Sequence, residues 1–313
     1  MKSFIVGGAG FIGSHLLDCL ALRGPVTLYD NLSVGKLAFV EKHLQSGRAT
    51  LVKADVLDLE RLTESLAGHD AVFHLSANPE ARWGLERTKL DLEQGTIATY
   101  NVLEAMRRTG VSRLVFSSSG TVYGDSAETK REEDLGSLPI SLYGASKLAG
   151  ESLIAAFVEC FGIRATIFRF GNVVGPRGTH GAALDFLNKL KANQDELEVL
   201  GDGQQSKPYL FVTDCADGLV FGLDHSEGPL GIYNLAPPDW TSVARIAELC
   251  VAASPYPNAK IRFTGGDRGW KGDVPRSSMN PEKLAKLGYR VRHSSDDAVR
   301  MAVSALAKEV FGG

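Results

Sequence analysis

Tyr143 and Lys147 stand four residues apart in the segment Ser141–Glu151, SLYGASKLAGE. The segment holds no proline and is rich in helix formers, so the two side chains project from one face of a helix. A phenol of ordinary pKa, about 10, is a poor base at neutral pH, but a fixed cation beside it favours the phenolate. Such a phenol can exchange a proton with a substrate hydroxyl. A further hydroxyl source precedes the pair, in the run Ser117-Ser118-Ser119 that closes a strand-like stretch. Serines at a strand end commonly make a turn. With Tyr143 and Lys147 next along the chain, Ser119 reads instead as the hydroxyl that shares a substrate oxygen with the phenol. Tyr-x-x-x-Lys alone is a frequent coincidence, so its meaning depends on the rest of the chain.

The second chemical signal lies at the amino end. Lys2–Val6 reads as a buried strand and runs into GGAGFIGSHLLDCL, where Gly7, Gly10 and Gly13 frame Phe11 and Ile12 before an amphipathic helix carrying Leu16, Leu17 and Leu20. Glycines at a strand-to-helix turn let a diphosphate approach main-chain N–H groups. The next strand, Val26–Tyr29, ends in Asp30-Asn31. A carboxylate there accepts hydrogen bonds from both ribose hydroxyls of NAD and repels the 2′-phosphate of NADP. Strand, glycines, helix and acid together point to NAD.

The elements that must position these residues alternate strand and helix. Strands are predicted at Ala49–Ala54, Ala71–Leu75, Arg113–Ser117 and Ile163–Phe170, and helices at Leu59–Ala67, Thr88–Arg108 and from the Tyr-Lys segment to Phe161, with Gly162 as its stop. This implies an α/β fold with a doubly wound parallel sheet, whose ligands bind beyond the carboxyl ends of the strands. Gly7–Gly13, Asp30, Asp55-Val56, Leu75-Ser76-Ala77, Ser117–Ser119 and Asn172 all fall at that edge. After Gly171 the alternation loosens around turns such as GPRGTHG and APPDW. The expected division is residues 1–170 for the dinucleotide and 171–313 as a smaller mixed lobe that makes the substrate cleft. Pro208–Val212 and Gly231–Leu235 read as strands, at least one of which returns to the main sheet. Trp270 either faces the nucleotide or packs the lobe interface.

Whole-chain properties exclude several classes. The 313 residues carry a formal net charge of −3, which offers no basic excess for nucleic acid or an anionic membrane. Cys19, Cys160, Cys215 and Cys250 form no CxxC pair and read as reduced thiols of a cytoplasmic protein. The seven histidines show no metal-ligand spacing, so no metal is expected. No run approaches the ~18 apolar residues of a membrane span.

GGAGFIG, YDN (29–31), SSSGTVYG (117–124), YGASK (143–147), RFGNVVGPRG (169–178), GDGQQSKPYLFVTD (201–214) and GWKGDVPRSSMNPEKLAKLGY (269–289) resemble the extended short-chain dehydrogenase/reductases that act on nucleotide sugars, above all the UDP-glucose 4-epimerases. The resemblance implies a Rossmann domain with a substrate lobe, a homodimer, and an NAD-dependent 4-epimerase working through a transient 4-keto sugar, with a UDP-glucose/galactose or UDP-N-acetylhexosamine substrate. It makes Tyr143 the acid/base, Lys147 the cation that lowers its pKa and holds the nicotinamide ribose, and Ser119 the hydroxyl at the sugar. Asp30 takes the adenosine ribose, and Asp55 and Val56 line the adenine pocket. Asn172, Lys207 and Arg268 face the sugar nucleotide. Ser277 stands where some glucose-only relatives carry a bulky tyrosine, which leaves room for an acetamide.

The chain departs from the family at three places. Gly95 replaces an asparagine near the cofactor, removing one polar contact. Lys207 replaces an arginine, exchanging a bidentate fork for a point charge. Gly120 and Thr121 stand where 4,6-dehydratases carry acids. A dehydratase, reductase or other-carbon epimerase on the same scaffold is the alternative enzyme, and a non-catalytic NAD-binding regulator the alternative of another class.

Overall fold

In this computed structural model, which describes residues 1–126, 128–134 and 136–312, seven strands form one sheet. Their order across the sheet is Leu230–Leu235, Arg164–Phe170, Arg113–Ser119, Ala71–His74, Ser3–Val6, Val26–Asp30, Ala49–Lys53. All neighbours run parallel. The central strands SFIV, VTLYD and AVFH are buried along their whole length, as a sheet covered on both faces requires. Alternate residues serve opposite faces. Ile5, Leu28, Phe73, Val115 and Phe168 pack with Leu16, Leu17 and Leu219 of the Phe11–Leu20 and Val212–His225 helices. Phe4, Val72, Leu114 and Phe116 pack with Leu62, Leu103 and Ile154 of the helices on the other side. From Ser3–Val6 the chain first builds outward to Ala49–Lys53, then returns to Ala71–His74 on the opposite flank. This reversal opens a crevice at the carboxyl ends of the two central strands, where a doubly wound sheet binds ligands.

The strand at Leu230–Leu235 joins the sheet beside Arg164–Phe170, far along the sequence from its neighbours. The remaining carboxyl-terminal segments build a separate core in which Phe186, Leu190, Ile246 and Val303 meet beneath the helices Ala182–Ala192, Val243–Ala253 and Ser295–Phe311. A parallel pair at Glu196–Val199 and Lys260–Phe263 escapes the sequence reading, because ELEV and KIRF interleave charges and lack a clear apolar run. No helix among the described residues is long and apolar enough to cross a membrane.

The helix expected over Thr88–Arg108 is divided. Lys89–Asp91 leads into a π-helical turn, Leu92–Ile97, before regular helix resumes at Ala98–Thr109 and ends at Gly110 with φ 75°. Gly95 sits inside the π-turn and is pressed onto the Leu142–Phe161 helix. A Cβ there would lie 2.3 Å from the Ser146 Oγ, so the position has no room for a side chain.

Candidate active site

Ser141 caps the helix that carries Tyr143 and Lys147, its hydroxyl accepting from the Gly144 N–H at 3.1 Å. Gly144 lets this first turn close onto the loop after the serine run, since a Cβ there would stand 2.9 Å from the Thr121 carbonyl oxygen. One turn beyond Lys147, Glu151 anchors the helix to the sheet. Its carboxylate meets the fully buried Arg169 through Nε at 3.0 Å and Nη2 at 2.7 Å. Arg169 Nη1 also donates to the Tyr123 hydroxyl at 3.0 Å and to the Glu132 carbonyl at 2.8 Å. Helix, strand and loop are thus tied behind the face that carries Tyr143.

On that face Ser119, Tyr143 and Lys147 come together. The Ser119 hydroxyl acts on the Tyr143 phenol, and Lys147 Nζ lies 5.8 Å from the phenol ring centroid. The electrostatics differ from the expectation of a lysine-lowered phenol. Tyr143 is half-buried; burial of its hydroxyl pushes its pKa up to about 12, the Asp91 carboxylate adds to the rise, and Ser119 opposes it. Lys147 donates to the Ser117 carbonyl at 2.7 Å and lies 4.9 Å over the Phe116 ring. Burial lowers its own pKa to about 8, against the carboxylates of Glu151 and Asp91. In the protein alone, desolvation outweighs the cation, and Tyr143 is a phenol at neutral pH. His74, buried next to this group, is held neutral by desolvation and by the Lys147 charge, its pKa falling to about 3.

Of the predicted cofactor residues, Gly7, Gly10, Asp30, Asn31, Val56, Leu75, Ser76 and Ala77 line the crevice, while the others lie beside or behind it. Gly7 (φ 81°) passes under Ser76, whose backbone nitrogen would be 2.8 Å from a Cβ, and Gly13 packs onto the Gly7 carbonyl, 2.3 Å from where its Cβ would be. Both glycines are therefore required by the turn. Gly10, Asp30, Asn31, Val56, Leu75, Ser76 and Ala77 share the groove wall with Gly7. Asp30 is buried and accepts from the N–H groups of Ala9 at 2.9 Å and Leu32 at 2.8 Å, and burial raises its pKa. Asp55 is engaged by Asn31 Nδ2 and by the Leu57 N–H, both at 2.9 Å, next to Val56 of the groove wall. Phe11 and Ile12 turn their side chains into the packing of the helix, away from the groove wall. Ser117 donates from its hydroxyl to the His74 carbonyl at 3.1 Å and supports the site through its own carbonyl. The glycine loop, the buried Asp30 carboxylate and the apolar wall at Val56 fit a dinucleotide with a free 2′-hydroxyl.

Gln94, Ser33, Val34 and Pro79 also line this groove and escaped the sequence reading. Gln94 is brought there by the π-turn, which breaks the helical period used to sort faces, so no periodicity could find it. Asp91 was missed likewise: it is buried, bonded to Asn78 Nδ2 at 3.0 Å, and its Oδ2 has no partner among the described residues.

On the substrate side, Asn172 heads the short strand Asn172–Val174 paired with Tyr209–Phe211. Lys207 is bound to Asp273 at 2.6 Å, which neutralises its charge in the free protein. Arg268 spans from Asp125, at 2.7 Å, to the Asp273 carbonyl, at 3.0 Å. Ser277 is half-buried, its N–H donating to the Ser206 carbonyl at 3.2 Å beside Lys207. Trp270 packs under Gly272, 3.2 Å from where that residue's Cβ would be. Asp273 sits inside the GDVP motif without having been assigned a role. Gly120 faces Met279, whose Sδ would be 2.9 Å from a Cβ, so a side chain after Ser119 would have to displace the Met279 thioether. No group of His, Cys, Asp and Glu among the described residues could hold a metal ion.

A family model described as the NAD dependent epimerase/dehydratase family matches residues 3–236. The chain belongs to that family. NAD is therefore the dinucleotide for which the groove is built. A putative UDP-glucose 4-epimerase of Methanocaldococcus jannaschii is 30% identical over 311 residues, covering 96% of each chain. Among solved structures, a UDP-galactose 4-epimerase superposes with a TM-score of 0.88 at 37% identity, covering 99% of each chain. The NAD complex of a Thermus thermophilus UDP-glucose 4-epimerase gives 0.86 at 29% identity, with 98% of this chain and 99% of the other covered.

Proposed function

We propose that the protein is an NAD-dependent nucleotide-sugar 4-epimerase acting on UDP-hexoses of the glucose/galactose or N-acetylhexosamine type. The observation that carries the reading is the meeting of Ser119, Tyr143 and Lys147 beside an NAD groove whose acid is Asp30. Gly7, Gly10 and Gly13 would hold the diphosphate, Asp30 the adenosine ribose, and Gln94 adds a carboxamide to the same wall. When bound, NAD supplies a reversible hydride acceptor at C4 and, in its oxidised form, a positive charge. The protein does the rest. Ser119 would donate to O4, and Tyr143, once drawn to its phenolate by the Lys147 ammonium and the positive charge of the bound cofactor, would take the O4 proton as C4 is oxidised. The 4-keto sugar turns while its nucleotide stays anchored, and Tyr143 returns the proton after inversion. Binding energy from the nucleotide lets the sugar be held loosely enough to rotate. Asn172, Lys207, Arg268 and Ser277 would contact the sugar nucleotide, and an anionic diphosphate would compete with Asp273 for Lys207.

Elimination is disfavoured because Gly120 offers no side chain, and Thr121 only a hydroxyl, where an acid for C5 or C6 would stand. With substrate deuterated at C4, the label is expected back at C4 of the inverted product, with no solvent deuterium at C5 or C6. Label at C6, or exchange at C5, would move the assignment to a dehydratase.

The same proposal includes a homodimer in the cytoplasm. All four cysteines are free thiols, as a reducing compartment allows. An exposed apolar strip, Ile97, Tyr100 and Phe161, runs along the two helices behind the site.

A further inference from the structure

Ser119 accepts two hydrogen bonds from one residue, from the Thr121 N–H at 3.2 Å and from the Thr121 hydroxyl at 3.0 Å. A serine hydroxyl has two acceptor lone pairs and a single O–H. With both lone pairs engaged, the Ser119 O–H is left to donate, and the group beside it is the Tyr143 phenol, whose rise in pKa Ser119 opposes. We infer that Thr121 is a positioning residue that locks the Ser119 hydroxyl as a donor toward the oxygen at which the proton is exchanged. The inference rests on the epimerase reading only for the substrate that meets this oxygen.

Polarity is the point of the device. A Ser119 free to turn would as readily accept from the phenol, which favours protonated Tyr143. A fixed donor favours the phenolate and, in the sugar reaction, the charge developing on O4. Thr121 is held for this task from both sides. It lies in the Gly120–Tyr123 turn that Ser119 itself caps, and its carbonyl packs under Gly144, the residue after Tyr143. The other charged groups near Tyr143 are Asp91 from the preceding helix and Lys147 from its own, and around Lys147 in turn stand Glu151 and, from the sheet, His74. A change in the Thr121 side chain alters none of these. Valine keeps the backbone donor and the shape, and removes only the hydroxyl.

The test follows the ionisation of Tyr143 in the NAD-bound protein, where the cofactor's positive charge brings it back toward neutral pH, by NMR of protein labelled at tyrosine Cζ, with the resonance assigned through Tyr143→Phe. Thr121→Val is expected to shift that ionisation to higher pH by up to about one unit, the equivalent of one ordinary hydrogen bond. Turnover on a UDP-hexose is expected to fall roughly three- to tenfold in kcat with KM unchanged. Thr121→Ser is expected to restore both. On a Ser119→Ala background, Thr121→Val should add nothing. Coincident Tyr143 titrations in wild type and Thr121→Val, or an undiminished valine effect without Ser119, would overturn the assignment. The titration needs no sugar, so a failure of the epimerase reading and a failure of the Thr121 assignment give different results.

Discussion

Tyr143 and Lys147 share a pocket that penalises both of their charged forms, and this penalty controls how the site responds to pH. Lys147, lowered to about 8 by burial, is an ammonium below that pH and a neutral amine above it. If its charge supports cofactor and phenolate, kcat/KM should decline as pH rises through about 8, and Lys147→Arg should carry the alkaline limb upward. Stability should move the other way. Between about 8 and the unfolded value near 10.4, the unfolded chain binds more protons, so stability rises with pH across that window. A urea-denaturation series from pH 7.5 to 10.5, against Lys147→Met as control, checks the sign. Tyr143→Phe should cost on the order of 10²–10⁴ in turnover while sugar-nucleotide binding by calorimetry stays near wild type. Near-normal turnover would remove the phenol from the chemistry.

Between residue and fold, the site depends on how two helices are pressed together. The sequence shows Gly95 as a missing side chain at the cofactor, and that reading predicts tighter NAD binding for Gly95→Asn. The structure reverses the expectation, because position 95 faces Ser146 and not the groove. Gly95→Asn should overpack the contact, at about 1–3 kcal/mol, and weaken NAD retention. Thermal denaturation with and without NAD measures both. The Arg169–Glu151 pair is a second joint, with side chains 0% and 5% exposed. Arg169→Met leaves a buried carboxylate without its cation and should cost about 3–5 kcal/mol, much of it recovered in Arg169→Met/Glu151→Leu. Neither joint could be read from the chain. A glycine in a helix looks like a weak point until its neighbour is known, and an arginine in the strand RATIFRF looks like a strand-edge charge until the sheet encloses it.

At the scale of the molecule, the parallel sheet and its ligand edge were legible because each depends on local pattern: apolar runs of strand length, a glycine turn, an acid at a strand end. What the alternation could not reveal is which surfaces remain uncovered once the core is built. Ile97 and Tyr100 lie three apart on one helix face and are 41% and 43% exposed, while Phe161 at the end of the Tyr143 helix is 53% exposed. Tyr100 packs edge-on against Phe157 with ring centroids 6.4 Å apart, and Phe157 meets Phe161 at 4.9 Å, so these rings form one continuous apolar strip. Aromatic side chains left exposed in a contiguous group mark an association surface more often than isolated ones do. A symmetric dimer would lay the strip of one protomer on that of the other, packing together from outside the same two helices that hold Gly95 and Tyr143 inside. Light scattering should therefore give about twice the 33.6 kDa of the chain, as closed two-fold assembly predicts. Tyr100→Glu combined with Phe161→Glu places like charges across the two-fold and should yield monomer that keeps its helical circular-dichroism signal. If dimerisation stiffens the helix pair, the monomer should also lose turnover while retaining Ser119, Tyr143 and Lys147. A dimer undisturbed by both glutamates would locate the contact elsewhere and leave the strip without a partner.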